Sequence, residues 1–202
     1  MKIKSYIKIT PKSVYLNDKQ LCFEEQGYNL ITSIYRKYCN NYPKFFKMDM
    51  LSKVGFVASE LLLSNETNRF VEREDIAVVL LNRSASLCDD IQYQETIQTP
   101  DNYYPSPSVF VYTLPNIVTG EIAIRNKYYG ETSFMVIDDF NSEVIEQMIT
   151  MAFQDYMTTV VLGGWLECSD KDEFEALLFL VEKDGQENMI EFNKENINKL
   201  RK

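Results

Sequence analysis

The run Ile76-Ala77-Val78-Val79-Leu80-Leu81 is apolar at every position and has no helical period. A strand with one wet face alternates, whereas a strand that is apolar throughout must be covered on both faces. Such a segment belongs in the middle of a sheet layered by helices. Comparable segments follow at 133–137 ("SFMVI") and in "TTVVLGGWLE", from Thr158 to Glu167. Residues with helical spacing separate them, and strands alternating with helices predict an α/β sheet with mainly parallel strands.

The remaining elements fit this frame. Lys2 to Thr10 alternates apolar and polar residues as a first strand. Asp49 to Ser64 has a helical apolar stripe, in which Gly55 and Ala58 allow close packing on a sheet. Residues 84–97 read as a helix with Ser84 or Ser86 as N-cap, and Asn116 to Lys127 as a mostly buried helix after Pro115. Helix 142–156 has a stripe of Val144, Ile145, Met148, Ile149, Ala152, Phe153 and Tyr156. Asn141 is its N-cap, and Phe140 with Ile145 has the spacing of a hydrophobic staple. "EFEALLFLVEK" is a last long strand, antiparallel to its predecessor, and "DG" at 184–185 turns into a polar tail helix.

A short helix is expected within Gly27 to Cys39, and "NNYPKFFKMD" reads as a loop with exposed aromatics. "TPDNYYPSPS" is a turn-rich loop, and Gly163-Gly164 mark a bulge or close backbone approach within a strand. The order is βαβαβαββ, an α/β fold with a five-stranded mixed sheet and helices on both faces. At 202 residues, 1–202 reads as a single domain.

Candidate chemistry is narrowed by what the composition lacks. There is no histidine, so a Ser/His/Asp or Cys/His triad cannot be built from this chain. Cys22, Cys39, Cys88 and Cys168 are scattered without CxxC spacing and read as reduced, part-buried side chains; no metal ligand set and no cofactor motif is present. Net charge is -9, which argues against nucleic acid and anionic membrane surfaces as partners. The apolar runs are too short to span a bilayer, and the N-terminal "MKIKSYIKITPK" has no signal-peptide core, so a cytoplasmic location is expected. The adjacent acids Asp138 and Asp139 end a strand and precede a helix. The plain reading is that they favour the positive end of the helix dipole. A phosphotransfer or magnesium site fits poorly, because D-x-D spacing and its partner residues are absent.

The stretch "SPSVFVYTLPNIVTGEIAIRNKYYGETSFMVIDDF" resembles the β-ketoacyl-acyl-carrier-protein synthases of the thiolase superfamily. Ser106-Pro107, Pro115-Asn116, Gly120, Ile122, Ile124, Arg125 and Gly130 match a block that leads there into a buried strand and the nucleophile turn. "TTVVLGGWLE" is similar to a later strand of that family, and the element order is that of one thiolase half. The resemblance places Asp139 at the position of the catalytic cysteine, and the two family histidines have no counterpart. A carboxylate there cannot serve as the acyl-thioester acceptor.

The resemblance thus implies a non-catalytic ketosynthase-like subunit of fatty-acid or polyketide-type assembly, aryl-polyene pigments included. Asp138, Asp139, Phe140, Pro115 and Asn116 would line what is left of the acyl pocket. The strand Ser133, Phe134, Met135, Val136 and Ile137 would pair across a dimer interface, in a homodimer or with an active ketosynthase, and an acyl-carrier protein could dock. The alternatives are a divergent acyl-thioester hydrolase or transferase using Asp139, and a purely structural homodimer.

Overall fold

The computed structural model describes residues 1–101 and 103–202 and builds the chain around one eight-stranded sheet. Three strands open the chain: β1 (Lys2–Thr10), β2 (Ser13–Leu16) and β3 (Lys19–Leu21). Next comes α1 (Gly27–Ile34), continued by a π turn over Tyr35–Cys39. In α2 (Met50–Leu62), Asp49 caps the N-terminus by accepting the Leu51 and Ser52 amides at 3.1 Å. β4 (Ile76–Asn82) is followed by α3 (Leu87–Ile97), α4 (Pro107–Tyr112) and α5 (Ile117–Asn126). The chain closes with β5 (Thr132–Val136), α6 (Ser142–Ala152), β6 (Val160–Asp170), β7 (Glu173–Glu182), β8 (Ile190–Glu191) and α7 (Lys194–Arg201). Of the turn-rich loop at 99–108, Asn102 lies outside the described residues.

The spatial order is β3-β2-β1-β7-β6-β4-β5, with β8 paired to β1. β4 is parallel to both β5 and β6, and the other pairs are antiparallel. The expected parallel block is therefore limited to three bonded strands. β7 runs against both β6 and β1, so β1 points the same way as β4 without touching it. All five expected strands are present, and the count of five is corrected by β2, β3 and β8. These three are short and, apart from the buried Val14, half-buried or exposed, so they carry no apolar run.

Period-two alternation divides the core between the two faces of the sheet. Ile76, Val78 and Leu80 face one cluster with α1, α2 and α5; Ala77, Val79 and Leu81 face the other with α6 and α7. Glycines set the closest approaches. A Cβ at Gly55 of α2 would sit 2.5 Å from Val118 Cγ2 and 2.8 Å from Leu166 Cδ2. At Gly163 it would meet the Val79 carbonyl at 2.5 Å and Ile149 of α6 at 3.1 Å, so β6 lets α6 settle onto the sheet.

Two sequence expectations change. Tyr156 leaves the α6 stripe and is 86% exposed, because the helix ends at Ala152 and the Asp155 carboxylate accepts the Met157 amide at 3.2 Å. "NYPKFFK" is not an open loop. It forms a 3-10 turn over Pro43–Lys47 that buries Phe45 completely, stacked on Tyr35 at 4.0 Å, and leaves only Phe46 largely exposed.

Candidate functional site

Among the described residues β5 is an edge strand, bonded to β4 along one side only. The Ile137 amide donates to the Asn82 carbonyl at 2.8 Å. Parallel ladders use alternate residues, so the amides of Ser133 and Met135 also point to β4, while those of Phe134 and Val136 point to the open side. Phe134 and Met135 are half-buried, and Val136 is 52% exposed. A cleft of about 430 Å³ runs beside the strand, lined by Ser133, Phe134 and Met135 with Met148 and Met151 of α6. Exposed apolar residues continue on α3 and α4: Leu87, Ile91, Phe110 and Val111, with Leu114 beyond the end of α4.

The turn after β5 is polar and open. Asp138 and Asp139 are exposed, and Asp139 Oδ1 accepts the Phe140 amide at 2.7 Å. Asn141 caps α6 as expected, accepting from Glu143 and Val144. Phe140 is held between two groups: Trp165 edge-on at 5.6 Å, and the Arg201 guanidinium at 3.8 Å over its ring. Arg201 is in turn fixed by a two-point bond to Glu175, both contacts at 2.9 Å. Helix α7 thereby covers the flank of the turn. Pro115 and Asn116 stand at the start of α5, and no hydrogen bond among the described residues joins them to Asp138, Asp139 or Phe140.

Arg125 of the matched block turns away from this end. It bonds the buried Glu60 at 3.2 Å and Asn41 at 2.6 Å. Arg69 bonds the same Glu60 and also Asn126, at 2.9 and 3.2 Å. Both guanidiniums lie 4.6 Å from the ring of Phe70, whose φ of 65° is left-handed. Among the described residues no group of three or more His, Cys, Asp or Glu is placed to hold a metal ion. No described helix is long and apolar enough to cross a membrane.

The segment after β4 departs from the sequence expectation at Ser86 and holds one residue, Asp89, that sequence reasoning missed. Ser86 does not cap α3 with its side chain; its hydroxyl donates instead to the Thr113 carbonyl at 2.5 Å, tying α3 to the end of α4. Helix α3 buries an acid. Asp89 is 4% exposed with no hydrogen-bond partner on Oδ2 among the described residues, whereas Leu87 and Ile91 face outward. Burial pushes the Asp89 carboxyl up to about 7, and the charges of Asp49 and Asp90 add to the shift.

The pH dependence follows from the direction of that shift. Between the ordinary value of 3.8 and about 7 the folded chain holds a proton on Asp89 that the unfolded chain has lost. Stability from this group is therefore lost as pH rises through that window, and the dependence ends above it. Asp89→Asn should gain on the wild type in urea unfolding as pH rises from about 4 to 7. A constant offset between the two would mean that Asp89 is ionised throughout.

No protein family's sequence pattern matches the chain, and no curated protein matches it in sequence. Its fold does have relatives. The chain has the thiolase-type α/β fold of ketosynthase and chain-length-factor chains. The ishigamide ketosynthase/chain length factor superposes with a TM-score of 0.62 at 18% identity, over 93% of this chain and 63% of that one. A complex of the ketosynthase ApeO with its chain length factor ApeC, from Xenorhabdus doucetiae, contains a chain that matches with a TM-score of 0.58 at 14% identity. That match covers all of this chain and 92% of the other. The AntDE:AntF structure, a type II PKS acyl-carrier protein in complex with its ketosynthase bound to the hexaketide, gives a TM-score of 0.57 at 15% identity, over 90% and 62%. This chain thus spans less than two thirds of the matched chain in the first and third structures and nearly all of it in the second.

Proposed function

We propose that this protein is a chain-length-factor-like subunit that pairs through β5 with an active ketosynthase and shapes its acyl site in polyketide-type assembly, aryl-polyene pigments included. The observation that carries the reading is the open β5 edge beside a methionine-lined cleft, on a fold shared with ketosynthase/chain-length-factor pairs. An unpaired strand edge invites another strand. The subunit has no catalytic nucleophile in this reading: Asp139 stands where a ketosynthase has its cysteine, and its carboxylate accepts the Phe140 amide and acts as a charge on Arg201. The acyl-carrier protein of such a pathway delivers its chain to the pair.

A second contact face is not needed. The outward side of α6 carries Glu143, Glu146, Gln147 and Thr150 beside the exposed Met151, a mostly polar face that suits water better than a second sheet. Co-expression with a ketosynthase tests the assignment. The two chains should co-purify, and the product length should change when this subunit is left out. Separate elution together with an unchanged product would overturn it.

A further inference from the structure

The amino ends of the parallel strands carry a second cleft. It encloses about 200 Å³, and Leu63, Ile76, Val160 and Leu180 supply its apolar floor. The length of β4, about 20 Å, separates Ile76 from the Asn82 carbonyl that bonds the start of the β5 turn. The cleft is therefore remote from Asp138 and Asp139 and stands apart from the edge assigned above to a ketosynthase.

Its two walls differ in charge. On the side of β1 and β7, Lys4 Nζ bonds Glu66 at 2.9 Å and Glu182 at 3.0 Å. One ammonium thus faces two carboxylates, and a negative charge is left over. On the side of β4, Arg73 and Tyr128 are neighbours, joined by a parallel bridge. Arg73 bonds Asp75 through Nε and Nη2, at 2.6 and 2.7 Å, which leaves the Nη1 hydrogens unused among the described residues.

Tyr128 points most directly to a ligand. It is 7% exposed, yet its hydroxyl makes no hydrogen bond to any described residue, although buried polar groups are normally paired. Sealed side-chain atoms without a partner are limited, among the described residues, to Ser5 Oγ and Asp89 Oδ2, so the Tyr128 hydroxyl opens on the cleft. Burial pushes it up to about 12, and it remains a donor at neutral pH.

Sheet order sets the distance between the walls. β7 and β4 flank β6, two strand spacings or about 10 Å apart. An α-amino acid holds its two charges too close together to reach both. We propose that this cleft binds a small ω-amino acid, with its ammonium toward Glu66 and Glu182 and its carboxylate on the Tyr128 hydroxyl and Arg73 Nη1. The methylenes between lie on the apolar floor.

Calorimetric titration of the folded full-length chain with δ-aminovalerate, valerate and pentylamine tests the assignment. δ-Aminovalerate should bind at a single site, and the two singly charged analogues at least about tenfold more weakly. No binding of δ-aminovalerate at about 10 mM, or either analogue binding as tightly, would overturn the proposal. Tyr128→Phe removes an oxygen that no described protein group uses. Its urea midpoint should stay at the wild-type value while affinity falls by about tenfold. Unchanged affinity in this variant would refute the site. Should Tyr128→Phe not fold, Glu182→Gln on the opposite wall decides, with the same loss expected and the same refutation if affinity is unchanged.

Discussion

Val136→Pro should leave the subunit folded and remove its partner. The Val136 amide points to the open side of β5, so a proline there breaks no bond to β4. Proline is tolerated on edge strands for that reason, and the cost to the isolated chain should stay within about 1 kcal/mol. A strand added to this edge would lose a donor and meet the ring. Ketosynthase binding should weaken by about a hundredfold, equivalent to about 3 kcal/mol. Met135→Pro is the contrasting variant, because its amide faces β4 and its loss should destabilise the chain itself. Pull-down of co-expressed ketosynthase, alongside urea unfolding of each variant, separates the two effects. Undiminished binding by Val136→Pro would show that the partner does not use this strand.

Glu60→Ala should be among the most destabilising single changes in α2. Glu60 has 3% of its side chain exposed and is bonded by two arginines, whose side chains are 13% and 12% exposed. Truncation leaves both guanidiniums buried with only Asn126 and Asn41 as partners. Breaking a buried ion pair by removing one member typically costs about 3–5 kcal/mol. The midpoint of urea unfolding measures it, and a loss under about 1 kcal/mol would mean that water replaces the carboxylate.

The fold was legible wherever burial on both faces leaves an uninterrupted apolar run, as in β4, β6 and β7. Caps were legible where the chemistry is local: Asn141 at α6 lies where its side chain predicts. Short edges escaped notice, because β2, β3 and β8 are defined by pairing rather than by hydrophobic pattern. Helix α3 misleads in a different way. It is a helix as expected, yet it sits with Asp89 inside and with Leu87 and Ile91 exposed. At the β5 turn the sequence supplies the residues but not their setting, since the pinning of Phe140 by Arg201 depends on where α7 lands.

The sheet has two unlike ends. At one end β5 offers free amides beside greasy side chains; at the other, β3 is three residues long and carries Lys19 and Gln20 exposed. A ribbon that grows through β5 has nothing to grow onto at the far side. If β5 takes up a partner strand as proposed, the short polar β3 edge gives a further copy little to pair with, and assembly would stop at a pair instead of propagating into a filament.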